Sequence, residues 1–158
     1  PASVLTDVGT DGDAAASHCR TGGPMKHSRG LLTALLRLTG VAMLGGLVFV
    51  FCPFAWMQRI HTGIGMGELE YTPLMSYLTR TLSAMYAVVG ATLLFVSLDI
   101  RRYLPLIRLL GVIALAGGVG VTLLDAMLRL PAFWTLLEGP LTIGLGVALL
   151  VLSGKVRA

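Results

Sequence analysis

The chain has 158 residues, with 12 Lys or Arg against 8 Asp or Glu for a net charge of +4. It is 55% hydrophobic, 13% charged, and has a mean hydropathy of +0.82. Soluble domains carry about 25% charged residues, so this composition excludes an ordinary soluble domain and points to an integral membrane protein.

Residues 1–24 contain Gly, Ala, Ser, Thr and Asp without an apolar period. A segment that can bury so little is expected to be disordered. Met25, followed by Lys26, His27, Ser28 and Arg29 and then by an apolar run, reads as the natural start, with residues 1–24 lying upstream of it. The run is too long for a signal peptide, Arg37 interrupts its beginning, and no small-residue cleavage pattern follows, so an uncleaved anchor is expected. One membrane domain, 25–158, accounts for the rest.

A membrane-spanning helix needs roughly 20 largely apolar residues, and four stretches qualify. The first runs over 35–57. The second follows the cap-and-proline pair Thr72-Pro73 and covers 73–98. The third follows Pro105 and covers 105–126; the fourth follows Pro131 and covers 131–153. The predicted fold is therefore all-α, a four-helix transmembrane bundle. Small residues recur along the second helix at Ser83, Ala87 and Ala91. In the third, Gly111, Ala114, Gly118 and Asp125 form a stripe, and Ala116-Gly120 repeats the spacing. Such stripes predict helix seams, where backbones approach closely.

Nine basic residues (Arg20, Lys26, Arg29, Arg37, Arg101, Arg102, Arg108, Lys155 and Arg157) fall on one side of these spans. Arg59, Arg80 and Arg129 fall on the other. The positive-inside rule then places both termini in the cytoplasm. The positive charge is thus an anchor beside anionic lipid, and no basic patch interleaved with aromatics suggests nucleic acid.

This topology gathers Glu68, Glu70, Asp125, Glu138, Arg59, Arg80, Arg129 and His61 on the outer side. Arg80 and Glu138 each follow a helix-starting proline by seven residues, a matching depth of about 10 Å. Asp125 ends a climb of about 30 Å from Pro105 and reaches the same layer. A charge near hydrocarbon needs a partner or a use, so an Arg80–Glu138 ion pair is expected, with Asp125 neutralised by Arg80 or Arg129. Pro140, beside Glu138, removes a backbone donor and predicts a kink. Such a kink would open a small polar cavity, with Tyr77 and Tyr86 joining Arg80, Asp125 and Glu138 as candidate ligand-binding residues. Trp56 and Trp134 read as interfacial belt residues. The glycine-bearing loop 58–71 is expected to cover the cavity.

Several chemistries lack their motifs. Cys19 and Cys52 fall on opposite sides of the membrane, and no Cys-x-x-Cys is present. His18, His27 and His61 lie outside the spans, so no haem pair and no metal-spaced cluster is expected. No P-loop or nucleophile elbow occurs. Small four-helix drug exporters place an essential acid in the first helix, which here has none. No cofactor is expected.

The stretches Tyr77-Leu-Thr-Arg80-Thr-Leu-Ser83-Ala-Met-Tyr86-Ala, Asp99-Ile-Arg-Arg-Tyr103 and Glu138-Gly-Pro140 resemble a family of small bacterial four-span integral membrane proteins with no assigned activity. In size and span count the chain is also similar to DoxX-type proteins. The resemblance implies a multi-pass protein of the bacterial inner (cytoplasmic) membrane. Three functional readings follow: a non-enzymatic structural or accessory bundle, placed first, with a membrane-protein partner; a binder or carrier of a small lipid-soluble molecule; or an enzyme on such a molecule, using Glu138 or Asp125 as general acid or base.

Overall fold

The computed structural model describes residues 23–157, which form six helices and no strand. The expected disordered tail falls almost wholly outside the described residues; Gly23 and Pro24 already belong to the first helix.

Helices α1 (Gly23–Leu44) and α2 (Gly46–Phe51) form one span, His27–Phe51, with a tightened turn at Gly45. There the Val48 amide donates to the Gly45 carbonyl at 3.1 Å. The sequence reading extends this span to Met57, but the helix stops six residues earlier. Cys52 turns to an extended ψ of 153°, as a residue preceding proline prefers, and Pro53 has no N–H to continue the ladder. The chain restarts as a separate short helix, α3 (Phe54–Gly63).

Helix α4 (Pro73–Val96) begins as its sequence predicts, with Thr72 Oγ1 accepting from the Met75 amide at 3.0 Å and Pro73 in the first turn. Helix α5 (Leu104–Leu128) ends in a Schellman motif. Arg129 sits in the left-handed region at φ 53°, and the Leu130 and Arg129 amides donate to the carbonyls of Asp125 and Ala126. Helix α6 (Ala132–Arg157) continues through Pro140. Four helices are thus long and apolar enough to cross a membrane, and many of their large side chains face outward, among them Leu38, Phe51 and Met127. Hydrocarbon is the solvent that suits such a surface, so the chain is a multi-pass membrane protein.

The close pairings are α5 with α6, α1 and α2 with α4, and α1 with α6. The spans therefore follow one another in the order α5–α6–α1–α4, with sequence neighbours α4 and α5 at the two flanks. Glycine sets the pairings. A Cβ on Gly90 would lie 2.5 Å from the Leu44 nitrogen and 2.6 Å from the Gly40 carbonyl oxygen. One on Gly146 would lie 2.7 Å from the Leu115 nitrogen. At these crossings backbone packs on backbone, the usual way for membrane helices to associate. Of the predicted seams, Ala87, Gly111, Gly118 and Asp125 are buried, whereas Ala91, Ala116 and Gly120 face outward. A strict spacing of four drifts off one face of a 3.6-residue helix, and Gly90 takes the place expected for Ala91.

All four spans meet at the end that carries the termini. Leu32, Leu36, Leu93, Val96, Ile100, Ile107 and Leu149 form one buried cluster there. At the loop end Cys52, Phe54 and Met57 bury a smaller cluster together with Leu69. Between the two lies an open-sided groove.

Candidate functional site

The break after α2 determines what Arg80 does. In an unbroken helix, the carbonyls near Phe51 would accept from amides one turn ahead. Pro53 supplies no amide, and the Trp56 amide donates to Pro53 instead. The Cys52 thiol lies 3.8 Å from the Phe49 carbonyl oxygen. Arg80, half-buried on α4, serves two of the others: Nη1 donates to the Val50 carbonyl at 2.6 Å and Nη2 to the Cys52 carbonyl at 3.2 Å. Its Nε lies 3.4 Å from Ser76 Oγ. A guanidinium is suited to this task, because its planar fork donates in several directions at once.

The expected Arg80–Glu138 ion pair does not form, and among the described residues there is no ion pair. The cause is the early stop of the first span. It exposes main-chain acceptors beside α4 that the sequence reading, with its helix running to Met57, does not contain. Arg129 also fails to pair with Asp125. Its backbone closes the Schellman motif, and its side chain is exposed.

Asp125 is 4% exposed, and its Oδ2 has no hydrogen-bond partner among the described residues. It lies one turn beyond Thr122, against which Gly139 of α6 packs directly, so the antiparallel register sets Asp125 opposite the stretch 135–138. Its position near a helix C-terminus adds an unfavourable dipole. A buried acid without a donor costs stability, and such costs concentrate at functional sites.

Glu138 is half-buried at the head of the α6 stripe formed by Leu141, Thr142 and Leu145. The Thr142 hydroxyl donates to the Glu138 main-chain carbonyl at 2.8 Å. The groove below has a volume of about 880 Å3. Leu35, Met43 and Phe49 line it from α1 and α2, Ser83 and Tyr86 from α4, and Leu141 and Leu145 from α6. Tyr86 lines the groove from α4, opposite the α6 wall of Leu141 and Leu145. Tyr77 is 64% exposed on α4 and does not line the groove. Of the candidate residues only Tyr86 lines the groove; Arg80 and Glu138 stand one turn beyond its lining at the loop end, Asp125 lies at the α5–α6 seam, and Tyr77 is turned outward.

Of the expected loop 58–71, residues 58–63 are the end of α3, and the remaining loop shares no lining residue with the groove and so does not cover it. Gln58 Nε2 donates to the Leu69 carbonyl at 2.9 Å, and His61 Nδ1 lies 3.1 Å from the Gly67 oxygen. Gly65 and Gly67 adopt φ of 81° and 90°, the region that favours glycine. The loop folds back on α3 and, with Glu68, Glu70 and Tyr71, lines its own hollow of about 550 Å3.

The Ser83 hydroxyl donates to the Thr79 main-chain carbonyl and the Thr142 hydroxyl to that of Glu138, so in this arrangement neither hydroxyl is held by a base. The sequence reading missed the α1 and α2 wall altogether. Its one signal is Gly46, where a Cβ would lie 2.8 Å from the Ser83 carbonyl. Compared with protein-family models, with curated proteins and with solved structures, the chain matches none.

Proposed function

We propose that this chain is a non-enzymatic, multi-pass protein of the bacterial cytoplasmic membrane that holds a lipid-soluble molecule in the groove between α1–α2, α4 and α6. The observation that carries this reading is the groove itself: about 880 Å3, with a largely apolar lining that includes Leu35, Met43, Phe49 and Leu145 and carries the hydroxyls of Thr39, Ser83, Tyr86 and Thr142. Sites for small molecules have this composition, apolar walls with a few placed polar groups. The nine-to-three division of basic residues supports cytoplasmic termini, which sets the loop end toward the outer leaflet. The motifs around Arg80, Tyr103 and Glu138 support membership of the small bacterial four-span family.

Mass spectrometry of the detergent-purified protein tests the reading, with Gly144→Phe as the control. Gly144 lines the groove, and a Cβ there meets open space, so the new ring fills the groove without disturbing a helix crossing. A small molecule retained at about one per chain by the wild type and lost from Gly144→Phe supports the proposal. A protein partner retained in place of a small molecule overturns it in favour of an accessory bundle. Equal retention by both variants also overturns it.

A further inference from the structure

The occupant's chemistry can be read from the groove's length and from the two charges at its head; this step rests on the groove being a binding site. The lining of the first span runs from Leu35 to Phe49, which is about 21 Å of helix. One leaflet is about 15 Å of hydrocarbon. The groove is thus long enough for an extended lipid chain, and its foot adjoins the closed core around Leu36 and Leu93. A chain entering it must carry its headgroup at the loop end.

Two opposite charges stand just beyond the lining at that end, one on α4 and one on α6. Arg80 stands one turn outward from Ser83 on α4. Glu138 stands one turn outward from Leu141 and Thr142 on α6. They do not pair with each other. Arg80 donates through Nε, Nη1 and Nη2 to Ser76, Val50 and Cys52; of its five N–H donors this leaves two. The half-buried Glu138 carboxylate accepts from no described residue. A headgroup of one sign would leave the opposite helix's charge unmatched near hydrocarbon, which is costly. A headgroup of both signs satisfies both helices.

We infer that the groove takes a zwitterionic aminophospholipid. One acyl chain lies along α1 and α6, its phosphate sits toward Arg80, and its primary ammonium sits toward Glu138. The lipid is bound, not transformed.

The test is competitive retention by the intact purified protein of phosphatidylethanolamine and phosphatidylglycerol with identical acyl chains, read by native mass spectrometry. The wild type should retain the ethanolamine lipid about tenfold over the glycerol lipid. Glu138→Gln should bring that ratio to within twofold, and Gly144→Phe should lose both lipids. If the wild type retains the two lipids equally while Gly144→Phe loses both, the headgroup assignment is wrong and the groove stands. A tenfold preference that survives in Glu138→Gln also overturns the assignment. If the wild type retains neither lipid, or Gly144→Phe retains both, the groove reading falls and the assignment with it.

Discussion

Replacing Arg80 with Met removes the donors from the broken end of the first span while keeping a long apolar stem on α4. Two main-chain carbonyls, Val50 and Cys52, then lose the contacts at 2.6 and 3.2 Å. Each buried acceptor left without a donor costs about 1–3 kcal/mol. The site is half-buried, so water offsets part of this, and a total of about 2–4 kcal/mol is expected. Arg80→Lys should recover roughly half, because an ammonium is a point charge and cannot fork to both carbonyls. Reversible unfolding by SDS in mixed micelles, followed by circular dichroism, measures these differences. The same assay separates carbonyl capping from ion pairing. If Arg80 chiefly neutralised Glu138, the charge swap Arg80→Glu/Glu138→Arg would restore what Arg80→Glu loses. The structure predicts no such rescue, since Glu at position 80 sets an anion against carbonyl oxygens. An Arg80→Met protein within about 0.5 kcal/mol of wild type, inside the ordinary range for surface changes, or a rescued double mutant, would refute the argument.

Three further outcomes can be measured in the same way. Gly90→Ala places a methyl against the Leu44 nitrogen and the Gly40 carbonyl, so α1 and α4 must separate at a cost of about 1–3 kcal/mol. Gly117→Ala meets open space and should be neutral, or more stable by up to about 1 kcal/mol through helix propensity; equal losses at both positions would argue against the α1–α4 crossing. Arg129→Gly should raise stability by a few tenths of a kcal/mol to about 1 kcal/mol, because Arg129 occupies the left-handed position at φ 53°. A loss there would revive an Arg129–Asp125 pair. Asp125→Asn should be at least as stable as wild type, since among the described residues no cation pairs with Asp125 and its Oδ2 has no donor; destabilisation by more than about 1 kcal/mol would reveal a partner for the carboxylate.

Span number, fold class and the start of α4 were legible in the chain because each rests on local chemistry. Runs of apolar residues must satisfy their backbone internally in hydrocarbon, which makes them helices. Thr72 and Pro73 are suited to a helix start whatever lies around them. The end of the first span was also encoded locally, by Cys52-Pro53, but the continuing apolar residues Phe54, Trp56 and Met57 masked it. Composition carries a hydropathy pattern across a proline that hydrogen bonding does not cross. That single shift of boundary changed the candidate site, because it created the carbonyls that hold Arg80.

Local chemistry alone makes this a membrane protein of four apolar helices, with nine of its basic residues at one end of the spans and a mixed-charge group at the other. Both properties follow from the cost of placing polar groups in lipid, and that cost is felt residue by residue. Which groups Arg80, Asp125 and Glu138 face is set by how the helices pack. Equal depth along two helices brings Arg80 and Glu138 to one layer but says nothing of azimuth, and azimuth is set by crossings such as Gly40 on Gly90 and Gly111 on Gly146. Those crossings join residues tens of positions apart, so no local pattern contains them. They give the helix order α5–α6–α1–α4, build the groove wall from a span with no charge at its loop end, and leave Arg80 and Glu138 as separate neighbours of one cavity.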